Sequence, residues 1–166
     1  MNFSDKLSSR TRLLRCLGIP RSGACALLTG ITAAVGLSPL GLAAQKAKTL
    51  SIVGRDYAFQ APDTIAAGPV LISFVNRGTV RHELVLYVAS EGSSLTDYLG
   101  ASSPLQRQTL GRTIGLLAAE PGQPSPGRLI TELVQGRTYV LLCNLQNAAD
   151  QPPHSRLGMG KLLVVK

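Results

Sequence analysis

The sequence has no tryptophan, and aromatic residues make up only 4% of its 166 residues. It also has just two histidines, three cysteines and two methionines. The formal charge is +8, but no basic run is interleaved with aromatic residues, so the pattern typical of nucleic-acid binding is missing. No Ser-His-Asp or paired-carboxylate arrangement stands out, which leaves hydrolytic chemistry without support.

Valine, leucine, isoleucine, glycine and threonine are plentiful, and this composition favours β structure. Short segments with a strand-like pattern are separated by turn signals such as Asn76-Arg77-Gly78. The segments are residues 50–53, 57–59, 63–65, 70–75, 83–88, 129–134, 139–145 and 161–165. The sequence therefore predicts an all-β protein, a Greek-key β-sandwich of about 7–8 strands.

Residues 89–128 interrupt this rhythm and predict an excursion made of loops and helices. Ser93 and Ser94 are suited to cap a short helix over residues 96–99. A second helix, interrupted by two glycines, is expected within residues 105–119. Long excursions of this kind are either functional or mobile, and the sequence does not distinguish the two.

Residues 1–44 predict an export signal. They carry five basic residues and one acidic residue, whereas residues 22–44 are uncharged and end in the small residues suited to signal cleavage. An uncleaved membrane anchor over residues 22–44 stays open, because that stretch is just long enough to span a bilayer. Both interpretations predict an exported protein, periplasmic or otherwise extracytoplasmic and in the second case membrane-tethered.

Removing the predicted signal leaves Cys143 as the only cysteine of the chain. A lone thiol in an oxidising compartment calls for an explanation, and metal binding provides one. The remaining sequence holds two histidines, His82 and His154, and one methionine, Met159. Taken singly, each has a plain alternative: an inert buried thiol, a polar strand-edge or loop histidine, or a methionine that fills the core.

Together these residues resemble the cupredoxins, in particular the plastocyanin-like and sulfocyanin-like blue-copper proteins. The resemblance rests on the segment GTVRHELVLY around His82 and on the Cys143 … His154-x4-Met159 ending. It implies that residues 45–166 form a cupredoxin-like domain, with residues 89–128 as a variable insertion. It also implies one mononuclear copper ion bound by His82, Cys143, His154 and a weak axial Met159.

One spacing departs from the family pattern. Cupredoxins commonly place the second histidine two to four residues after the cysteine, whereas residues 144–153 intervene here. Longer loops occur in sulfocyanin-like relatives, and the added closure entropy is on the order of 1 kcal/mol. The family also implies that the backbone N–H of Glu83 donates a hydrogen bond to the Cys143 sulfur.

The function implied by the resemblance is single-electron transfer by a non-enzymatic, monomeric protein with transient protein redox partners. No nucleic acid is expected as a partner, and a membrane only if the N-terminal segment is uncleaved. Electrons are expected to pass through an exposed edge of His154, surrounded by Pro152, Pro153 and Leu157. Three alternatives stay open: a copper-handling protein that passes no electrons, a cupredoxin fold used as an interaction module, and an open copper site with enzymatic activity.

Overall fold

The computed structural model describes residues 46–166, so the predicted export segment lies outside the described residues. The described part is mostly β structure, with two short helices and one 3-10 helix. In chain order the elements are β1 Lys48–Arg55, β2 Ala58–Gln60, β3 Thr64–Ile65, β4 Gly68–Asn76, β5 His82–Ala89, α1 Leu95–Gly100, α2 Pro104–Leu110, β6 Gly111–Ala119, β7 Leu129–Leu133, β8 Thr138–Leu142, the 3-10 helix His154–Leu157 and β9 Gly160–Val165. Among these residues, no helix is both long and apolar enough to cross a membrane.

The strands form two sheets that face each other across one main core. The four-stranded sheet has the order β2-β1-β4-β7, and the five-stranded sheet has the order β3-β9-β8-β5-β6. In β4 the inward-facing residues alternate with less buried ones, as expected for a strand with one face on the core. The predicted all-β sandwich is therefore confirmed.

Strand β5 is buried on both faces, and every residue except Val88 is classed as buried. Its outward side chains Val85 and Tyr87 join a second apolar cluster with Tyr98 of α1. The helix α1 is where the sequence places it, because the Ser94 side chain accepts from the Asp97 backbone N–H and the Asp97 carboxylate accepts from the Ser94 N–H. The helices thus cover the outer face of the five-stranded sheet beside the strand that begins at His82.

The prediction of a second helix over residues 105–119 is wrong for its second half. The helix α2 ends at Leu110, and residues 111–119 form β6, which pairs antiparallel along β5 from His82 opposite Ala119 to Ala89 opposite Gly111. Pairing with a long partner strand overrides the local pattern, and the glycines that interrupt the expected helix lie inside the strand.

Candidate metal centre

Two neighbouring strands place His82 and Cys143 at the same end of the five-stranded sheet. His82 is the first residue of β5, and Cys143 directly follows β8. The two strands are antiparallel, with Val85 opposite Leu142. The start of one strand therefore lies beside the end of the other, and residues 61 positions apart come together.

A backbone hydrogen bond closes the long loop between Cys143 and the second histidine. The backbone N–H of His154 donates to the carbonyl of Leu145, at 2.8 Å. The intervening residues 146–153 form an excursion, fastened by the Gln146 side chain, which donates to the Gln151 carbonyl. A hydrogen bond therefore closes the ten-residue loop beside the site, and Asn147 of the excursion returns to contact the His154 ring.

Met159 lies between the 3-10 helix and β9. Gly158 before it has a left-handed backbone with φ of 97°, which glycine adopts without steric cost, and it turns the chain sharply after the helix. The Met159 N–H donates to the His154 carbonyl, and the Met159 carbonyl accepts from the Cys143 N–H. Met159 is fully buried beside the cysteine in the main core. Its role as the axial ligand stays a prediction.

The donor atoms of His82, Cys143 and His154 converge on one point. They all lie within 4.8 Å of one another, and all three residues are buried. The Cys143 Sγ lies 3.9 Å from the His82 Nδ1 and 3.4 Å from the His154 Nδ1. The structure thus brings together three of the four ligands predicted from the sequence, in the relative positions that one small ion requires.

The outer nitrogen of each histidine is held by a polar side chain. The His82 Nε2 lies 3.2 Å from Asp56 Oδ1, and the His154 Nε2 lies 2.9 Å from Asn147 Oδ1. Carboxylate and amide oxygens accept hydrogen bonds, so each Nε2 carries the proton. In the neutral imidazoles each Nδ1 is then unprotonated, and its lone pair is directed at the cluster, as metal binding requires.

This arrangement leaves the cluster short of hydrogen-bond donors. The two Nδ1 atoms lie only 3.1 Å apart, and one thiol proton cannot satisfy both of them and the sulfur. A cation at the centre resolves the conflict, because all three atoms would then donate electron pairs to it. Two imidazole nitrogens and a thiolate, with a thioether nearby, form the donor set of a mononuclear copper site, and the residues present therefore fit copper.

Burial shifts the pKa of the His154 imidazole and the pKa of the Cys143 thiol in opposite directions. Burial, together with the neighbouring His82, lowers the pKa of His154, which favours the neutral imidazole that binds metal. Burial raises the pKa of the Cys143 thiol from 9.0 to about 11 in the absence of a metal. A bound cation reverses that preference, since a coordinating thiol is deprotonated, and metal uptake would release the thiol proton.

Glu83 links the two ligand-bearing strands through both its backbone and its side chain. Its backbone N–H donates to the Cys143 Sγ at 3.4 Å, as predicted from the family resemblance. Its carboxylate Oε1 accepts from the Asn144 N–H at 3.0 Å. Burial raises the pKa of Glu83, while the hydrogen bonds from Asn144 act against that rise. Hydrogen bonds therefore connect the residues that follow His82 and Cys143, and the bond to the sulfur fixes its direction.

The expectation that an edge of His154 is exposed is wrong. His154 is 0% exposed. The Tyr57 ring packs edge-on against the imidazole, with 5.2 Å between the ring centroids, and Asn147 covers its Nε2 atom. The Asn147 amide also donates to the Tyr57 hydroxyl, so the two covering residues hold each other. Of the apolar patch expected around His154, Leu157 is 44% exposed.

Sequence reasoning missed Asp56, Tyr57 and Asn147. Asp56 and Tyr57 form the turn between β1 and β2, where Tyr57 has a left-handed backbone with φ of 62°. Such a backbone in a residue other than glycine costs on the order of 1–3 kcal/mol. The Tyr57 ring lies edge-on to both histidine rings. No local pattern marks these residues, because their roles depend on how distant segments meet.

Comparisons with known proteins give structural neighbours but no sequence relatives. No protein-family model matches the chain, and no curated protein matches it. The chain is similar to a dithionite-reduced auracyanin of the photosynthetic bacterium Roseiflexus castenholzii, with 20% identity and a TM-score of 0.49 over 72% of this chain and 98% of that one. It is similar to auracyanin A of Chloroflexus aurantiacus, described as a blue copper protein, with 19% identity and a TM-score of 0.48 over 73% and 100%. It is also similar to reduced rusticyanin, with 18% identity and a TM-score of 0.44 over 73% and 79%.

The chain's own architecture and side chains define its class. Residues 46–166 form a β-sandwich of a four-stranded and a five-stranded sheet. At one end of the five-stranded sheet, the buried donors of His82, Cys143 and His154 form a site that fits one mononuclear copper ion.

Proposed function

We propose that the protein carries single electrons on one copper ion bound by His82, Cys143 and His154, with Met159 as a weak axial ligand. The observation that carries this proposal is the convergence of three buried donor atoms, two from histidines and one from a cysteine. The Nε2 atoms of both histidines are already hydrogen-bonded to other side chains, which leaves their Nδ1 atoms to bind the metal. Copper bound in this set supplies reversible one-electron chemistry. The similarity to auracyanins and rusticyanin accords with the proposal.

The surrounding residues serve this function by holding the ligand side chains in fixed positions. Each ligand is fixed from outside the cluster: His82 by Asp56, His154 by Asn147, and Cys143 by the Glu83 N–H. The two oxidation states of copper prefer different geometries, so ligands held at a compromise rearrange little when an electron arrives or leaves. The same burial excludes small molecules from the site, which favours electron transfer over enzymatic turnover at an open metal.

Electrons would cross a thin layer of protein at the turn between β1 and β2. Because Tyr57 and Asn147 cover His154, an electron leaving through that imidazole passes one side chain before reaching a partner. We propose transient protein redox partners that meet this end of the sandwich, with the exposed Leu157 at its rim. Small, wet interfaces suit such encounters, and we propose that the carrier itself is monomeric.

We also propose export, with residues 1–44 as a signal peptide and the copper domain beginning near residue 45. The mature protein would then be periplasmic or otherwise extracytoplasmic. Mass spectrometry of the natively expressed protein is expected to give a start near Ala44 or Gln45. An intact chain in the membrane fraction would instead support tethering by residues 22–44.

The experiment for the copper function compares two cysteine variants of the full chain. The copper-loaded wild type is expected to show an intense visible charge-transfer band and a reversible one-electron wave. Cys143→Ser should lose the band while its far-UV circular dichroism stays unchanged, whereas the control Cys16→Ser/Cys25→Ser should keep it. A band retained in Cys143→Ser contradicts the proposal. Tight copper binding without a redox wave would favour a copper-handling protein, and an unchanged partner interaction without metal would favour an interaction module.

A further inference from the structure

Asp56, in the turn between β1 and β2, contacts the Nε2 atom of His82, which faces away from the Cys143 sulfur. Its Oδ1 lies 3.2 Å from the His82 Nε2. The imidazole is fully buried, whereas the Asp56 side chain is 35% exposed. The carboxylate therefore lies at the border between solvent and the buried ligand, in direct contact with that ligand.

Further hydrogen bonds fix the carboxylate in this position. The Thr79 backbone N–H donates to Oδ1 at 2.8 Å, and the Thr79 hydroxyl donates to Oδ2 at 2.9 Å. Burial alone would raise the pKa of Asp56, but the hydrogen bonds from Thr79 and His82 outweigh it and hold the pKa below its ordinary value. The group beside His82 is thus an oriented anion.

The segment before His82 leaves room for this contact. A Cβ atom on Gly78 would collide with Asp56 Oδ1 and lie 2.8 Å from the His82 Nε2. The buried Asn76 holds the segment, because its side chain accepts from the Gly78 N–H and donates to the Val80 carbonyl. Three separate features, the absent side chain, the Asn76 brace and the Thr79 donors, therefore converge on the Asp56–His82 pair.

We propose that Asp56 is a positioning residue that acts on copper through His82. By accepting the Nε2 proton, its carboxylate selects the tautomer whose Nδ1 faces the cluster, and by its charge it makes that imidazole a stronger donor. Its negative charge also stabilises Cu(II) more than Cu(I), since the former carries one more positive charge. The effect on copper rests on the proposed function, whereas the choice of tautomer does not.

The test uses variants of the full chain that separate charge from orientation. Asp56→Asn keeps an oxygen acceptor for His82 but removes the charge, Asp56→Ala removes both, and Thr79→Val removes one brace of the carboxylate. Glu91→Gln is the matched control, because it removes one acidic charge beyond the far end of β5. Thermal unfolding of each copper-free variant shows that it is folded.

Two readouts decide the outcome. In copper-free wild type, nitrogen NMR of His82 should show the Nε2–H tautomer, and Asp56→Ala should lose that selection. In the copper protein, Asp56→Asn should shift the Cu(I)-to-Cu(II) affinity ratio by about tenfold towards Cu(I), which corresponds to a reduction potential about 59 mV higher. Glu91→Gln should leave the potential close to that of the wild type, whereas Thr79→Val should shift it in the same direction as Asp56→Asn but by less, because the carboxylate loses one donor and keeps its charge.

An unchanged potential in Asp56→Asn, or an unchanged tautomer in folded Asp56→Ala, overturns the inference. The same potential shift in Glu91→Gln would also overturn it, because the effect would then follow net charge. A wild-type protein without a redox wave refutes the proposed function, while the tautomer in Asp56→Ala still decides the role of Asp56. The two failures are therefore distinguishable.

Discussion

The Nδ1 atoms of His82 and His154 lie 3.1 Å apart, although the residues are 72 positions apart in the chain. Asp56 and Asn147 keep the other nitrogen of each ring protonated, so two lone pairs face each other next to the Cys143 thiol. Hydrogen bonding within the cluster cannot satisfy them all. The folded chain therefore holds a site whose electrostatics favour a bound cation before any metal arrives.

The copper-free protein should lose stability in alkaline solution through Cys143. Its thiol has a pKa of about 11 when folded and an ordinary value of 9.0. Between these values the unfolded chain binds fewer protons, so the free energy of unfolding falls as pH rises. The contribution is fully present below pH 9 and is lost by about pH 11. Its size is about 3 kcal/mol, from the energy equivalent of each pKa unit.

Urea unfolding of copper-free wild type and Cys143→Ser, under reducing conditions and with a chelator, measures this contribution. Other groups titrate in the same range in both proteins, so the difference between the two curves isolates the thiol. The stability of the wild type should fall more steeply than that of the variant. Parallel curves would show that the thiol is not desolvated in the folded protein.

The ligands were predictable because few residues of the right chemistry exist in the chain. Outside residues 1–44 there are two histidines, one cysteine and one methionine, and the structure places His82, Cys143 and His154 together. Their supports were not predictable. Asp56 is one of eight acidic residues beyond residue 44, and only the meeting of the β1–β2 turn with the segment around Thr79 gives it a role.

Strand β6 depends on a glycine at its first residue. A Cβ atom on Gly111 would collide with the Tyr98 hydroxyl and the Val88 carbonyl, and it would lie 3.0 Å from the Ala89 Cα. Gly111→Ala should therefore lower the free energy of unfolding by about 1–3 kcal/mol, as overpacking does. Chemical denaturation measures this change.

Gly100→Ala is the matched control, because nothing lies within 4 Å of the Cβ that it adds. This glycine ends α1, where alanine is the better helix former, so stability should stay the same or rise by up to about 1 kcal/mol. Equal losses in both variants would contradict the tight approach between α1, β5 and Gly111.

The error over residues 111–119 has the same physical origin as the missed supports. Gly111 and Gly115 weaken a helix, but their value to the strand appears only in contacts with other elements. A Cβ on Gly115 would meet the Leu129 side chain at 2.6 Å, and Gly111 lies under Tyr98. Local propensity contains no information about either neighbour, and pairing with β5 decides the conformation.

The second equatorial nitrogen can be tested by removing it and supplying it again. His154→Gly should abolish the visible band of the copper protein, because one ligand is lost. It leaves a space bounded by the Tyr57 ring and by Asn147 Oδ1, which accepts from the native imidazole at 2.9 Å. Added imidazole should bind there at roughly millimolar concentration, a binding free energy of about −4 kcal/mol, and restore the band.

Two comparisons make this test specific. With 1-methylimidazole the recovery should be weaker, because the methylated nitrogen cannot donate to Asn147. His82→Gly should also recover less readily, since His82 begins β5, a strand buried on both faces, whereas His154 begins a short 3-10 helix. An unchanged spectrum in folded His154→Gly without added ligand would show that His154 does not bind the copper, because removing a ligand of so small a set must alter the colour of the site.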